Sequence, residues 1–139
     1  MKYIIYILLF FPIWVTAQTY KYIGIEEGLS NRRIFSIQKD AEGYMWFLTN
    51  EGMDRYNGKE IKHYKLADEE NKRNAQNHLT WLFREKENLW IVGKTGKIFE
   101  YHHQFDRFIP TYKPANLSLS ISYSYLDNRG NIWLCDKDS

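Results

Sequence analysis

Asp40-Ala-Glu-Gly43-Tyr-Met-Trp46 returns later in the chain as Asp127-Asn-Arg-Gly130-Asn-Ile-Trp133. In both copies aspartate stands six residues before the tryptophan and glycine stands three residues before it. A further tryptophan, Trp90, lies 44 residues after Trp46 and 43 residues before Trp133. Recurrence at a fixed spacing of this length is the sequence signature of a repeat architecture.

The positions that the two copies share have a function in the backbone. Aspartate at the start of a four-residue turn can bond the backbone two residues on, and glycine at its end adopts the left-handed conformation. The middle copy, Arg84-Glu-Lys-Glu87-Asn-Leu-Trp90, keeps the spacing but lacks both turn residues. Short, continuous apolar runs follow the three turns, at 44–48, 89–92 and 132–135. A strand that is apolar on both faces must be covered on both faces, as in sheets stacked around an axis.

The repeat therefore predicts an all-β fold, a partial β-propeller of two four-stranded blades and the start of a third. The predicted blades are residues 34–66, 77–109 and 121–139. Four strands are expected in the first blade, near 34–39, 44–49, 53–56 and 60–66. Residues 18–33 are expected to form an opening strand and a loop, and 68–77 and 110–120 to connect the blades.

The first residues have the features of a signal peptide. Lys2 precedes an apolar run at 4–15, and Val15-Thr16-Ala17 suits cleavage before Gln18. The run is shorter than the ~20 apolar residues that span a bilayer, so an uncleaved anchor is the weaker alternative. Residues 1–17 are thus predicted to direct export and to be removed, leaving no membrane span. Cys135 is the single cysteine, which excludes an internal disulfide.

Charge and ligand spacing argue against several classes of function. The net charge of +2 is mixed along the chain, without the basic stripe that nucleic-acid binding requires. His102 and His103 are adjacent, so on a strand they point to opposite faces and cannot chelate one ion. The acidic run 68–70 lacks the spacing of a calcium loop. No motif combines a nucleophile with a general base. The sequence therefore assigns no catalytic, cofactor-binding or metal residue, and no cofactor is expected.

The four tryptophans that follow the predicted signal peptide divide into two groups. Trp46, Trp90 and Trp133 recur at one repeat position, which favours packing between blades over ligand binding. Trp81 does not recur, because Ile37 and Ser124 occupy its place, and it is the better binding candidate. The Arg32-Arg33 pair is read as exposed charge. The ligand-contacting residues cannot be identified from the repeat.

Together with the repeat, the opening phrase Gly28-Leu-Ser-Asn31 and the closing phrase Gly52-Met-Asp-Arg55-Tyr-Asn-Gly58 resemble the two-component regulator propeller family. The resemblance covers about 20–138. It departs from the family pattern at four positions of blade one, namely Leu48, Met53, Asp54 and Asn57.

The resemblance implies a role in signal transduction. The parent would be a dimeric, inner-membrane-anchored receptor with a periplasmic sensor and a C-terminal histidine kinase, and many members of the family sense carbohydrate fragments. The present chain would then be an N-terminal fragment of the sensor, with no enzymatic activity of its own. Its partners would be a small-molecule ligand, expected to be an oligosaccharide, and further propeller blades. Two alternatives remain: an exported module that binds a protein, or a fragment of a propeller hydrolase or lyase.

Overall fold

The computed structural model describes residues 19–66, 79–112 and 120–137. The predicted signal peptide, the acidic run 68–70 and most of both connectors lie outside these residues. Ten strands form antiparallel sheets of four, four and two strands in chain order. The strands are β1 Ile34–Lys39, β2 Met45–Thr49, β3 Gly52–Tyr56, β4 Ile61–Tyr64, β5 Leu79–Glu85, β6 Asn88–Gly93, β7 Ile98–His102, β8 Arg107–Tyr112, β9 Ile121–Leu126 and β10 Ile132–Asp136. The predicted all-β class, with two four-stranded blades and the start of a third, is confirmed.

Blade one, β1–β4, matches its predicted strands closely. Its first turn is the Asp40–Gly43 turn, in which Gly43 has a φ of 95°. In the register that follows, Gln38 lies opposite Trp46. Blade three, β9–β10, repeats this arrangement, because Tyr125 lies opposite Trp133. The aspartate–glycine turn thus sets the same strand pairing in both blades.

Blade two, β5–β8, pairs its first two strands differently. Without the aspartate and glycine, β5 and β6 are joined by a two-residue turn in which Lys86 has a φ of 54°. Phe83 therefore lies opposite Trp90, although the 44-residue spacing aligns Leu82 with Gln38. A shift of one residue moves every side chain of a strand to the other face. As a result Leu82 faces blade one and is 2% exposed.

Two further boundaries differ from those expected from the sequence. The strand β8 continues through Tyr112, beyond the predicted end at Ile109. Pro110 is tolerated within it because β8 is the edge of its sheet, where a missing N–H costs no ladder bond. Residues 19–23 form no strand, and a hydrogen-bonded turn follows at 24–29. Alternating sequence alone does not make a strand without a partner edge, and none of the described strands pairs with this segment.

Among the described residues, a hydrophobic core lies between blades one and two. Ten buried residues form it: Trp46, Leu48, Met53, Tyr64 and Leu66 of blade one, and Leu82, Leu89, Ile91, Phe99 and Tyr101 of blade two. Trp46 is fully buried, as predicted, whereas Trp133 is 60% exposed. The ring of Trp46 is covered by the blade that follows it. No described strand follows blade three, and the same face of that blade, with Tyr123, Tyr125 and Trp133, is open.

Candidate functional site

The aspartate–tryptophan turn fixes the position of the indole ring in two blades. Asp40 accepts hydrogen bonds from the Trp46 indole N–H at 2.7 Å and from the backbone N–H of Tyr44 at 2.8 Å. Asp127 accepts from Trp133 at 2.9 Å and from the Asn131 backbone at 2.8 Å. These donors, led by the Trp133 indole, lower the pKa of Asp127. An arrangement that is repeated in this way builds the blade and does not by itself define a binding site.

In blade one the fixed indole ring is the centre of an aromatic group at the interface with blade two. This interface is called the blade seam below. Its centroid lies 5.1 Å from Tyr64, 4.8 Å from Tyr101 and 5.6 Å from Phe108, mostly with edge-on or tilted rings. Such pairs contribute roughly 0.5–1.5 kcal/mol each beyond the area they bury. The Arg55 guanidinium lies 5.3 Å from the indole centroid and 4.8 Å from the ring of Tyr44. The seam is therefore both apolar and cationic.

Asp106 joins the two blades through its carboxylate. It follows the short 3₁₀ helix His103–Phe105 and has left-handed dihedrals, with φ 46° and ψ 49°. Four groups donate to this carboxylate: Arg55 Nη1 at 3.1 Å, Tyr64 Oη at 2.6 Å, Tyr101 Oη and Lys62 Nζ. These five residues are called the Asp106 cluster below. Three of its members belong to blade one and two to blade two.

The electrostatics of the Asp106 cluster favour the carboxylate form. Desolvation alone would raise the pKa of Asp106, but the hydrogen bonds from Lys62, Tyr101 and Tyr64 and the charge of Arg55 lower it well below its usual range. Burial, followed by the bond to Asp106, raises the pKa of Tyr101 to about 12. The same two causes raise the pKa of Tyr64. Both tyrosines therefore stay protonated donors at neutral pH.

A pocket of about 170 Å³ opens beside this cluster. It is lined by Tyr44, Arg55, Asn57, Glu60, Ile61 and Lys62. Arg55 is the most enclosed cation of the lining, since its side chain is 18% exposed against 53% for Lys62. Both of its acceptors among the described residues, Asp106 and the Tyr101 hydroxyl, are bound by Nη1. Nε and Nη2 have no acceptor in the described part of the chain.

A second polar group lies on the opposite face of blade one. Asp54 is fully buried and accepts from the backbone N–H of Ser30 at 2.7 Å and from its hydroxyl at 2.9 Å. The Nδ1 atom of His63 lies 2.7 Å from the other carboxylate oxygen. A hydrolytic triad needs the serine hydroxyl bonded to histidine, whereas here it bonds Asp54 and Thr49. The group therefore anchors the opening phrase 28–31 to blade one, and it gives no support to hydrolase chemistry.

The two histidines lie on different elements, His102 at the end of β7 and His103 at the start of the 3₁₀ helix, so the assumption that both lie on a strand holds only for His102. His102 stacks on Phe105 at 4.7 Å, while His103 packs against Tyr101 and lies 3.8 Å from a carboxylate oxygen of Glu42. Among the described residues, no group of three or more potential ligands could hold a metal ion. The acidic run 68–70 lies outside those residues.

Trp81 does not line the pocket. It is half-buried on β5 and lies opposite Val92, as Ser36 lies opposite Leu48. Its structural counterpart in blade one is thus Ser36 and not Ile37, because the pairing in blade two is shifted by one residue. Arg32 and Arg33 are exposed, as expected, with Arg33 lying over the ring of Phe35 at 5.2 Å.

Sequence reasoning missed the Asp106 cluster and the pocket. Arg55 belongs to the closing phrase of the repeat, but nothing in that phrase distinguishes a strand residue from a pocket residue. Asp106 lies 51 residues from Arg55 and has no repeat position of its own. Only the stacking of two blades brings them together, so local pattern contains no signal for the pair.

Comparison with known proteins supports the repeat assignment. Residues 28–51 match the family model described as two component regulator propeller, which confirms the resemblance over the opening phrase and the first turn of blade one. Residues 28–51 thus match one repeat of this family. No curated protein matches the chain.

Solved structures share the fold. One match is a crystal structure described as the extracellular domain of a hybrid two component system, BT3049, from B. thetaiotaomicron. It has a TM-score of 0.60 and 22% identity and covers 83% of this chain and 17% of that one. Another is an extracellular domain of BT4673 from the same organism, described as part of a hybrid two component system. It has a TM-score of 0.57 and 24% identity and covers 76% of this chain.

The chain spans about a sixth of the length of these solved domains, with 17% and 16% of each covered. At this identity the likeness establishes the propeller-type fold. In the described part of the chain, no helix has the length and apolar character needed to cross a membrane.

Proposed function

We propose that the chain is part of the extracellular, ligand-sensing propeller of a two-component signalling receptor, and that its ligands are carbohydrate fragments. The observation that carries the proposal is the family match at 28–51, located on the turn that orients Trp46 at the blade seam. The solved domains of the same fold are described as extracellular parts of two component systems, which supports a sensory role outside the cytoplasm.

The lining of the pocket suits a polar ligand. Carbohydrate recognition needs aromatic surface together with planar polar groups, and Tyr44, Arg55 and Asn57 supply both within one concave site. Export by the signal peptide at 1–17 would place this site in the periplasm, and the histidine kinase and membrane anchor would belong to the remainder of the receptor. Sensing requires a ligand-binding surface and no catalytic residues in this part.

The proposal is tested by transcription in the source bacterium. Cells would be supplied with purified oligosaccharides of differing composition, and transcripts of the receptor's neighbouring genes would be measured. We expect one glycan class to raise transcription, and the response to be lost when Trp46→Ala opens the blade seam. Arg129→Ala is the control, because Arg129 is exposed in the turn between β9 and β10 and lies on neither face of a blade. A response that no glycan elicits, or one that survives Trp46→Ala unchanged, would contradict the proposal.

An exposed aromatic face favours a second candidate function, a module that binds another protein. Tyr123, Tyr125 and Trp133 lie on one face of β9–β10 and are 57%, 53% and 60% exposed. Exposed apolar patches mark interaction sites. Photo-crosslinking from position 123 in cells distinguishes the occupants: a crosslink within the same receptor indicates a neighbouring blade, and a crosslink to another polypeptide supports the interaction module.

A further inference from the structure

The pocket beside the Asp106 cluster contains an arginine whose guanidinium is fixed by hydrogen bonds through one nitrogen only. The guanidinium of Arg55 is stacked over Tyr44 at 4.8 Å and is fixed through Nη1 by Asp106 and the Tyr101 hydroxyl. Its Nε and Nη2 groups have no acceptor among the described residues. These two groups form one edge of the planar guanidinium, and two parallel N–H donors on one edge match the two oxygens of a carboxylate.

The charges of the Asp106 cluster favour an anion at this edge, although the whole lining together with Asp106 is neutral, with Arg55 and Lys62 balanced by Asp106 and Glu60. Arg55 and Lys62 share the single carboxylate of Asp106, so the cluster carries one more positive charge than negative charge. Glu60 is exposed in the same lining and disfavours a second anionic group. The side-chain amide of Asn57 and the carboxylate of Glu60 can bond hydroxyl groups. The pocket therefore suits a ligand with one carboxylate next to hydroxyls.

The size of the pocket restricts the ligand further. Ordinary ligand pockets enclose roughly 300–1,000 Å³, whereas this one encloses about 170 Å³. A space of this size holds one sugar-sized end group, and because the pocket is open to solvent the rest of an oligosaccharide would lie outside it. Since Arg55 is already positioned, little side-chain entropy is lost when a ligand binds.

We propose that this pocket binds the carboxylate-bearing end group of an acidic sugar, with Nε and Nη2 of Arg55 forming a bidentate contact to the carboxylate. The inference rests on the proposed sensory function and specifies the ligand class of one site. Tyr44 and the Asp106 cluster act as positioning groups that hold the guanidinium in the required plane.

The test is an NMR titration that observes Arg55 directly. The full chain, labelled with ¹⁵N, is titrated with galacturonate, galactose and acetate while the arginine Nε–H resonances are recorded. The Arg55 resonance is identified by its disappearance in Arg55→Lys. We expect a saturable shift of this resonance with galacturonate, a weaker one with acetate, which lacks the hydroxyls, and none with galactose.

Two variants distinguish a bidentate contact of the guanidinium from a simple attraction between charges. Arg55→Lys retains a cation near Asp106 but cannot form the bidentate contact, and it should weaken galacturonate binding at least about tenfold. Arg129→Lys makes the same change at an exposed arginine in the turn of blade three and should leave the affinity unchanged. If Arg55→Lys fails to fold, the Arg55 Nε–H resonance is assigned in the wild type by through-bond correlation to its own backbone amide, and the wild-type titration alone remains decisive.

The outcomes are distinct from those of the transcription test. Equal shifts with galactose and galacturonate would overturn the carboxylate assignment. The absence of any shift with galacturonate would overturn the pocket as a binding site, and a glycan-dependent transcriptional response would still support the sensory function. Loss of that response together with a positive titration would contradict the sensory role and leave the acidic-sugar site in place.

Discussion

The glycine at position 52 is required by a backbone contact, and this makes a sharp prediction. Gly52 starts β3, has a φ of 131°, and would place a Cβ atom 2.5 Å from the carbonyl oxygen of Tyr64 on β4. Gly58, in the next turn, has a φ of 97°, and nothing lies within 4 Å of its Cβ position. Alanine at either position has an unfavourable φ, but only alanine at 52 also collides with backbone.

The magnitudes follow from these two contributions. An unfavourable positive φ costs roughly 1–2 kcal/mol for a non-glycine residue. A contact with a backbone carbonyl cannot be relieved by a rotamer change, and overpacking of this kind costs about 1–3 kcal/mol. We therefore expect Gly52→Ala to lower the free energy of unfolding by about 2–5 kcal/mol, and Gly58→Ala by about 1–2 kcal/mol.

Urea unfolding measures the difference. Tryptophan fluorescence and far-UV circular dichroism are followed together for the wild type and both variants. With a slope of about 2 kcal/mol per molar urea, an extra loss of 2 kcal/mol lowers the midpoint by about 1 M. Equal midpoints for the two variants, or a lower midpoint for Gly58→Ala, would show that the Tyr64 carbonyl is not what requires glycine at position 52.

Three other outcomes are expected. Asp106→Asn should lower stability at neutral pH by about 1 kcal/mol, a value reduced by solvent screening of this partly exposed group. The pKa of Asp106 is lower in the folded protein than in the unfolded chain, where it is near 3.9. Its contribution to the free energy of unfolding is therefore present above about pH 3.9 and is lost as the pH falls towards the folded pKa. Between pH 5 and pH 2 the urea midpoint of Asp106→Asn should thus fall less than that of the wild type. Trp46→Ala should cost about 3–5 kcal/mol in chemical unfolding, whereas Trp133→Ala at an exposed site should cost less than about 1 kcal/mol, and equal costs would refute the seam as the main core. Intact-mass measurement of exported protein should show a chain that begins at Gln18, and retained Met1 would refute cleavage.

The parts of the fold that could be predicted are those fixed by neighbouring residues. The turn Asp40–Gly43 contains its own hydrogen-bond acceptor and its own positive-φ residue, so its position in the sequence determines both the turn and the pairing that follows. The same holds for Asp127–Gly130. In blade two these residues are absent, and the one-residue shift at Lys86 could not be read from the 44-residue spacing.

The burial of each repeated tryptophan depends on the neighbouring blade and not on its own repeat. Trp46 and Trp133 have the same turn, the same indole bond and the same strand partner position, yet one is fully buried and the other is 60% exposed. The difference is the neighbouring blade, which supplies Tyr101 and Phe108 to Trp46. A repeat pattern can thus identify which side chains face a neighbour, but only the assembled structure shows whether a neighbour covers them.

Arg55 has two proposed roles, stabilising the blade seam and binding the ligand. Because different nitrogens of its guanidinium serve the two roles, urea unfolding with and without the ligand can distinguish them. Its Nη1 group contacts blade two, and its Nε–Nη2 edge is the part assigned to the ligand. A ligand that binds only the folded protein adds stability according to its concentration relative to its dissociation constant. Galacturonate should therefore raise the urea midpoint of the wild type and, by a smaller amount, that of Asp106→Asn, which retains the Nε–Nη2 edge but loses the carboxylate that positions it. It should not raise the midpoint of Arg55→Lys, in which that edge is lost. If stabilisation by galacturonate instead persisted in Arg55→Lys, the ligand would be binding elsewhere, and Arg55 would be a residue of the seam alone.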